Sequence, residues 1–145
     1  MPASYVYLLR EGDAGPEVLL QLRQHTGFMD GHWAAAAAGH LERGETAYDA
    51  ARRETREEID VHDPVLELAT VMHRTRHADP IDERVDFLFT ARAWSGKPRI
   101  REPHKCAELR WCPLTALPEP VVPHERVVLE GVRAGGLAAY TTFGF

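Results

Sequence analysis

The order of apolar and polar positions along the chain predicts strands first, then a helix, more strands and a final helix. Two runs rich in β-forming residues, 5–10 (YVYLLR) and 18–23 (VLLQLR), flank the turn-forming segment 11–16 (EGDAGP) and together predict a hairpin. This succession of elements is typical of a mixed α/β domain. Three further strands are predicted, at 65–72 (VLELATVM), 85–94 (VDFLFTARAW) and 107–111 (AELRW).

A helix follows the hairpin, and its start is marked by a capping pattern. Thr46 is a suitable N-cap, and Asp49 three positions later completes a capping-box arrangement. The helix is therefore expected to run from about residue 47 to residue 59 and to end near Asp60.

Other segments are less regular. Five alanines at 34–38 are too few for a stable isolated helix, and they are interpreted as a short extended segment. The polar stretch 73–84 is long enough to indicate a functional loop. Pro123 suits the first turn of a final helix, about 124–134, and the apolar tail 137–145 is expected to pack on the domain.

Length, composition and charge fit one ordinary globular domain spanning residues 1–145. The net charge of −5 gives no general attraction to nucleic acid or to a membrane, so a polyanionic substrate would need local neutralisation. No membrane span or signal peptide is evident, and a cytoplasmic location is expected. Cys106 and Cys112 are expected to be reduced thiols.

The first predicted helix concentrates acidic residues on one face. At 100° per residue, Glu58 lies about 40° to one side of Glu54 and Glu57 about 60° to the other. Small apolar residues share this face, and they are Ala47, Ala50 and Ala51. The acids therefore lie beside the smallest side chains of the helix.

A solvated helix face is the simplest explanation for these acids, and three features favour a bound cation instead. None of the three has a basic i,i+4 partner on its own face, and the neighbouring alanines would leave room for a bound group. Like charges this close also repel one another, and hard carboxylate oxygens suit Mg²⁺ or Mn²⁺. A second edge of the helix is expected to dock on the sheet, formed by Tyr48, Thr55 and Ile59.

The stretch 39–61 (GHLERGETAYDAARRETREEIDV) resembles the signature box of the Nudix hydrolases, with every acidic position and the arginine filled. Two positions depart from the usual pattern, Thr55 and Asp60. The flanking stretches 30–45 (DGHWAAAAAGHLERGE) and 101–118 (REPHKCAELRWCPLTALP) resemble those of bacterial nucleotide-directed members. The resemblance implies an α/β fold of the α+β sandwich type, with a mixed sheet between helices and the box as loop–helix–loop.

The resemblance also implies a metal site in the box. Glu57 would be the central ligand of Mg²⁺ or Mn²⁺, with Glu54 and Glu58 beside it and the backbone carbonyl of Gly39 as a further ligand. Arg53 would orient the helix acids, and Glu45 would support the arginine structurally.

The sequence does not specify which carboxylate takes the proton from water. Members of the family use either a box glutamate, here Glu57 or Glu54, or an acid in a later loop, here Glu102. Glu102 could instead complete the metal site, and it is equally well explained as a surface residue before Pro103. His124 and Glu125 also fall where related enzymes often place substrate-reading groups.

Four residues outside the box are candidates for binding substrate. Trp33 lies in a predicted loop beside the box and could stack on a base, and Arg74, Arg76 and Lys105 could meet phosphates. For each of them a structural or solvated role is the alternative.

The function that the resemblance implies is metal-dependent hydrolysis of a nucleoside diphosphate linked to a group X. A nucleoside triphosphate, cleaved to monophosphate and pyrophosphate, is the expected substrate. The alternatives are ADP-ribose or a sugar nucleotide, and a catalytically silent module that senses a nucleotide. The expected partner is a small nucleotide, without nucleic acid or membrane, and a homodimer stays open because the sequence does not specify the oligomeric state.

Overall fold

The computed structural model describes residues 1–145, apart from the side chain of Ile81. A short 3₁₀ turn, Pro80–Asp82, precedes the sixth strand. In the part of the chain that is described, neither helix is long and apolar enough to span a membrane. The strands and helices are β1 (Pro2–Gly12), β2 (Gly15–Arg23), β3 (Trp33–Ala35), β4 (Ala37–His40), α1 (Ala47–Ile59), β5 (Leu66–Arg74), β6 (Arg84–Ala91), β7 (Cys106–Pro113), α2 (Pro123–Arg133) and β8 (Tyr140–Phe143).

One mixed sheet of eight strands runs through the molecule in the order β3-β2-β1-β6-β5-β8, with β4 on β1 and β7 on β2. β1 and β2 form the predicted antiparallel hairpin, whose last pair is Gly12 with Gly15. β1 also pairs in parallel with β6 and antiparallel with β4, where Ser4 lies opposite Gly39. The box therefore begins on a strand that is held by the centre of the sheet.

The two faces of the sheet are covered by different helices. In β1, Val6 and Leu8 belong to a buried cluster that includes Ile59 of α1. The alternate residues Tyr7 and Leu9 belong to a second cluster that includes residues of α2. Because successive side chains of a strand point to opposite faces, β1 contributes to both cores. The structure confirms the predicted sandwich of a mixed sheet between helices.

Helix α1 begins and ends where the sequence predicts. The Thr46 side chain accepts a hydrogen bond from the Asp49 amide, and the Asp49 carboxylate accepts one from the Thr46 amide, so the capping box is present. Asp60 closes the helix in the left-handed region, with φ of 57°. Its carboxylate also accepts hydrogen bonds from Arg99 and His62, which hold this strained residue in place.

Two expectations about packing need correction, and a third is confirmed in more detail. Tyr48 is exposed rather than docked with Thr55 and Ile59, although its ring still meets Phe89 edge-on. Ala50 and Ala51 are fully buried in the core, so they bring the helix close to the sheet and leave no room for a ligand. The tail does pack on the domain, but residues 140–143 do so as strand β8, parallel to β5.

The cysteines are free and buried in β7, as expected for thiols without a disulfide. Burial raises the pKa of the Cys106 thiol, and it raises the pKa of Cys112 to about 11. Both thiols therefore stay protonated at neutral pH.

The start of α2 is tied to the sheet by the buried carboxyl group of Glu125. Its Oε1 atom accepts a 2.7 Å hydrogen bond from the Tyr7 hydroxyl and a 2.8 Å hydrogen bond from the Ala35 amide. Burial raises the pKa of Glu125 from 4.5 to about 7, although the two hydrogen bonds oppose the change. The folded protein therefore keeps this proton at pH values at which an unfolded chain has lost it.

This shift predicts a pH-dependent cost of folding. A carboxyl group whose folded pKa is raised destabilises the fold progressively as pH rises from about 4.5 to about 7. Glu125→Gln mimics the protonated group, so its advantage over the wild type should grow between pH 5 and pH 8 by on the order of 3 kcal/mol. Urea unfolding of both proteins at the two pH values measures this difference.

Glu130→Gln is the matched control, because Glu130 lies on the same helix and its side chain is exposed. Its effect on the free energy of unfolding should be the same at both pH values. An equally pH-independent effect of Glu125→Gln would contradict the prediction.

Candidate active site

Arg53 connects the acids of the box. Its guanidinium group donates two hydrogen bonds to Glu45, at 2.7 and 3.0 Å, and one to the His40 carbonyl at 3.1 Å. The same group contacts Glu54 at 2.7 Å and Glu57 at 3.3 Å. The expectation that the helix acids lack a basic i,i+4 partner is therefore wrong for Glu57. Arg53 lies in the position from which it can orient two of the predicted ligands.

Glu54 occupies space that only a glycine leaves open. Its side chain is 12% exposed and lies directly against the Cα of Gly39. A Cβ atom at position 39 would come within 2.2 Å of the Glu54 Oε1 atom. The glycine that opens the box therefore leaves the space that the Glu54 carboxylate occupies, and a larger residue would displace that carboxylate.

Glu58 lies beside Glu54 and, like it, is partly buried. Its Oε2 atom accepts a 2.7 Å hydrogen bond from the Ala38 amide. Burial raises the pKa of Glu58 well above its usual value, and the charge of Glu54 adds to the shift. Burial also raises the pKa of Glu54, although Arg53 opposes this shift. The two carboxyl groups share a site in which charge is costly unless a cation is present.

These acids fit a divalent metal, although the described residues contain no ready-made cluster of three or more metal-binding side chains. Glu54 and Glu58 supply hard carboxylate oxygens in adjacent positions, as Mg²⁺ or Mn²⁺ requires. Glu57 is 57% exposed and stays within the electrostatic influence of Glu54. A bound cation would offset both the desolvation and the mutual repulsion that raise the pKa values of Glu54 and Glu58.

The later loop, 99–105, is docked on the end of α1. The Arg101 amide donates a 3.1 Å hydrogen bond to the Glu58 carbonyl, and the Arg99 amide donates a 3.0 Å hydrogen bond to the Ile59 carbonyl. The charge of Glu102 contributes to the raised pKa values of both Glu54 and Glu58. The loop therefore holds Glu102 near the box acids, and its catalytic role stays a prediction.

A cavity of about 330 Å³ lies next to the start of the box. This volume is at the lower end of the range for small-molecule sites. Its wall includes three successive residues of β4, so the cavity and the box acids adjoin the same strand. The wall comprises Ala3, Tyr5, Arg23, Phe28, Ala38, Gly39, His40, Arg74, Arg76, Asp82, Arg84, Val122 and Glu125.

Two of the predicted phosphate-binding residues line this cavity, and one does not. Arg74 forms an ion pair with the buried Asp86, and Arg76 forms one with Asp82 at 2.7 Å. Lys105 is exposed beside the loop acid and is not part of the cavity wall. The structure thus brings Arg74 and Arg76 together and leaves Lys105 apart.

The interpretation of Trp33 as an accessible loop residue is wrong. Trp33 is the first residue of β3, where it pairs with Leu22, and it is 5% exposed. The Arg110 guanidinium group lies 4.5 Å from the centre of its ring. Its indole belongs to the core and is covered on one face, so it offers no free face to a base.

Among the residues of the cavity wall that sequence reasoning did not single out are Arg23, Phe28 and Arg84. Phe28 carries a signal that could have found it, because it is a large apolar residue in a polar loop and is 38% exposed. The two arginines lie at strand ends, where a basic residue is ordinary. Only the pairing of the strands brings them to one cavity.

Comparison with known proteins agrees with this geometry. A family model described as "NUDIX domain" matches residues 1–132. No curated protein matches the chain. A MutT NUDIX hydrolase from Burkholderia pseudomallei is 27% identical, with a TM-score of 0.72, and the match covers 90% of this chain and 97% of that one.

Two more distant structures share the fold. The NUDIX domain of Shewanella oneidensis NrtR, solved with ADP ribose, is 19% identical with a TM-score of 0.72, and the match covers 92% of this chain and 86% of that one. An Ap4A hydrolase from C. elegans is 21% identical with a TM-score of 0.64, and the match covers 91% of this chain and 96% of that one. At these identities the likeness concerns the fold alone.

The contact between Gly39 and Glu54 predicts the effect of one methyl group. Gly39→Ala should displace the Glu54 carboxylate and weaken the affinity for Mn²⁺ by about 10- to 100-fold, as when the support of a metal ligand is lost. Calorimetric titration with Mn²⁺ measures the affinity, and circular dichroism checks that the fold persists.

Gly12→Ala is a closely matched control. A Cβ atom there would come within 2.4 Å of Glu17 on the hairpin, so the same kind of contact changes away from the box. Unchanged Mn²⁺ affinity in Gly39→Ala would contradict the assignment of Glu54 to the metal site.

Proposed function

Because the chain belongs to the Nudix family, as the match over residues 1–132 shows, we propose that it is a metal-dependent hydrolase of nucleoside triphosphates. The reaction would release a nucleoside monophosphate and pyrophosphate. The observation that carries the proposal is the placement of Glu54 and Glu58 against β4, beside an arginine-lined cavity. Carboxylates on one side and guanidinium groups on the other suit a metal-bound polyphosphate.

In this proposal, Glu54, Glu57, Glu58 and the Gly39 carbonyl hold Mg²⁺ or Mn²⁺. When bound, the ion would neutralise phosphate charge and lower the pKa of water. Arg53 keeps the carboxylates of Glu54 and Glu57 in position through its hydrogen bonds. The two hydrogen bonds that Arg53 donates to the Glu45 carboxylate fix the plane of the guanidinium group.

The proton of the attacking water has two candidate acceptors. One is a box glutamate such as Glu57, which is exposed and lies close enough for its charge to act on Glu54. Glu102 comes from the other side, on a loop that is docked on the helix end. Either carboxylate would act as a general base at the metal site.

The cavity is proposed to bind the nucleoside part of the substrate, with Phe28 as the surface on which a base stacks. Arg74 and Arg76 would face the sugar and phosphates. Hydrolysis of ADP-ribose is the second candidate, because a related Nudix domain with the same fold was solved with ADP ribose. A cytoplasmic location is also proposed, which the two unbridged cysteines support.

The central experiment screens nucleoside triphosphates, ADP-ribose and sugar nucleotides with Mg²⁺ or Mn²⁺. We expect metal-dependent release of pyrophosphate from at least one triphosphate. Glu57→Gln should lower kcat by about 100-fold or more, because a metal ligand or general base is lost. Product analysis by chromatography identifies which bond is cleaved.

Glu67→Gln removes an exposed glutamate of β5, outside the proposed site, and should leave the activity unchanged. Absence of metal-dependent turnover of every compound would refute the hydrolase, and binding without turnover would instead support a sensing module. Full activity in Glu57→Gln would refute the residue assignment.

A second variant separates the two candidate bases. If Glu102 takes the proton, Glu102→Gln should lower kcat by about 10²- to 10⁴-fold and remove the acidic limb of the pH–rate profile. If it only supports the metal, the concentration of Mg²⁺ needed for half-maximal rate should rise while kcat at saturation persists. His104→Gln, at an exposed position of the same loop, should do neither.

A further inference from the structure

The cavity beside the box is unusually rich in arginine for a site that receives a neutral base. Four of its wall residues are arginines, whereas the whole chain carries a net charge of −5. Small-molecule pockets are mostly apolar, with few charged groups. The concentration of guanidinium groups therefore calls for a ligand with complementary chemistry.

Two of the four charges are already neutralised within the protein. Arg74 contacts the fully buried Asp86, and it donates a 3.3 Å hydrogen bond to the Tyr5 hydroxyl. Arg76 contacts Asp82 at 2.7 Å. These pairs shape the wall, but they leave little net charge for a ligand.

The other two charges have no such partner. Arg23 donates hydrogen bonds to neutral oxygens, the Phe28 carbonyl at 2.9 Å and the Thr26 hydroxyl at 3.0 Å. Asp30 is near enough for the charge of Arg23 to contribute to its lowered pKa, but it lies beyond ion-pairing distance. Among the side chains that the structure describes, Arg84 has no carboxylate within ion-pairing distance. Asp82 and Asp86 are near enough for the charge of Arg84 to lower their pKa values, but each is in contact with another arginine.

The remaining acid of the wall, Glu125, offsets only part of this excess, because burial raises its pKa by more than the charge of Arg23 lowers it. Both hydrogen bonds that Glu125 receives end on its Oε1 atom, from Tyr7 and Ala35. Because the pKa of Glu125 is raised to about 7 by burial, the group is largely protonated in mildly acidic solution and half protonated near neutrality. A protonated carboxyl group can donate a hydrogen bond to an anion instead of repelling it.

From this arrangement we propose that the cavity binds an anionic substituent of the substrate, a phosphate or carboxylate in addition to the diphosphate that is cleaved. Arg84 and Arg23 are the groups that recognise it. The inference rests on the proposed function, because the same cavity is taken to hold the part of the substrate next to the scissile bond. It narrows the substrate class to nucleotides that carry a further phosphate or carboxylate outside the polyphosphate chain, on the ribose or on a sugar X.

The first test measures binding without catalysis, so it is independent of whether the protein hydrolyses anything. Calorimetry in EDTA with the Glu57→Gln variant compares three matched pairs of ligands. They are AMP with adenosine 2′,5′-bisphosphate, AMP with adenosine 3′,5′-bisphosphate, and UDP-glucose with UDP-glucuronate. The anionic member of at least one pair should bind about tenfold more tightly, the size expected for one charge-assisted hydrogen-bonded contact.

Variants show whether the preference comes from the cavity. Adding Arg84→Gln should make the two affinities of the pair about equal. Arg84→Lys should keep part of the preference for the anionic ligand because the charge remains. Arg92→Gln removes an exposed arginine outside this cavity and should leave the preference intact. Thermal unfolding of each variant checks that the fold is unchanged.

Equal affinities within all three pairs, or a preference that survives Arg84→Gln, would overturn the proposal. So would tighter binding of GMP than AMP that Arg84→Gln abolishes, because Arg84 would then read acceptor atoms of a base. If the pairs differ as expected but no compound is hydrolysed with Mg²⁺, the anion site stands and the proposed hydrolase fails.

Discussion

The candidate site depends on one constraint, the need to hold several carboxylates together before any cation neutralises them. Arg53 meets part of that need, because its single guanidinium group contacts Glu45, Glu54 and Glu57 at once. Glu45 in turn accepts a hydrogen bond from the Glu42 amide, so the loop before α1 is fixed by the same network. The loop, the helix and the acids therefore depend on one cation that the chain supplies itself.

Strand β4 lies at the boundary between two opposite electrostatic environments. The Ala38 amide binds Glu58, while Ala38 also forms part of the wall of the arginine-lined cavity. Small residues are needed here, because a larger one at Gly39 would collide with Glu54. A polyphosphate that bridges the two environments would meet metal-binding carboxylates at one end and guanidinium groups at the other.

The box and its helix could be predicted from the sequence because local signals determine them. Thr46 and Asp49 set the start of α1, and the helical period placed the acids on one face. The helical period could not show that Ala50 and Ala51 are buried against the sheet. Alanines that leave room for a ligand and alanines that pack against a sheet give the same sequence pattern. Trp33 was misplaced because the strand that buries it has only three residues and follows an irregular loop.

The cavity was beyond sequence reasoning for a different reason. Arg23 ends β2 and Arg84 begins β6, so they are far apart in the chain and meet only through the order of strands. Glu125 could be named from the family resemblance, but its partners Tyr7 and Ala35 could not, because they lie on two separate strands. Each residue is ordinary in its own segment, and its significance comes from long-range pairing.

The two cysteines of β7 have a practical consequence for spectroscopy. Alkylating labels react with the thiolate form, and burial keeps Cys106 and Cys112 protonated and shielded. A cysteine introduced at an exposed position beside the cavity, such as Met29 next to Phe28, would be the reactive thiol of choice. A fluorophore attached there could report the entry of a ligand into the cavity without prior removal of the native cysteines.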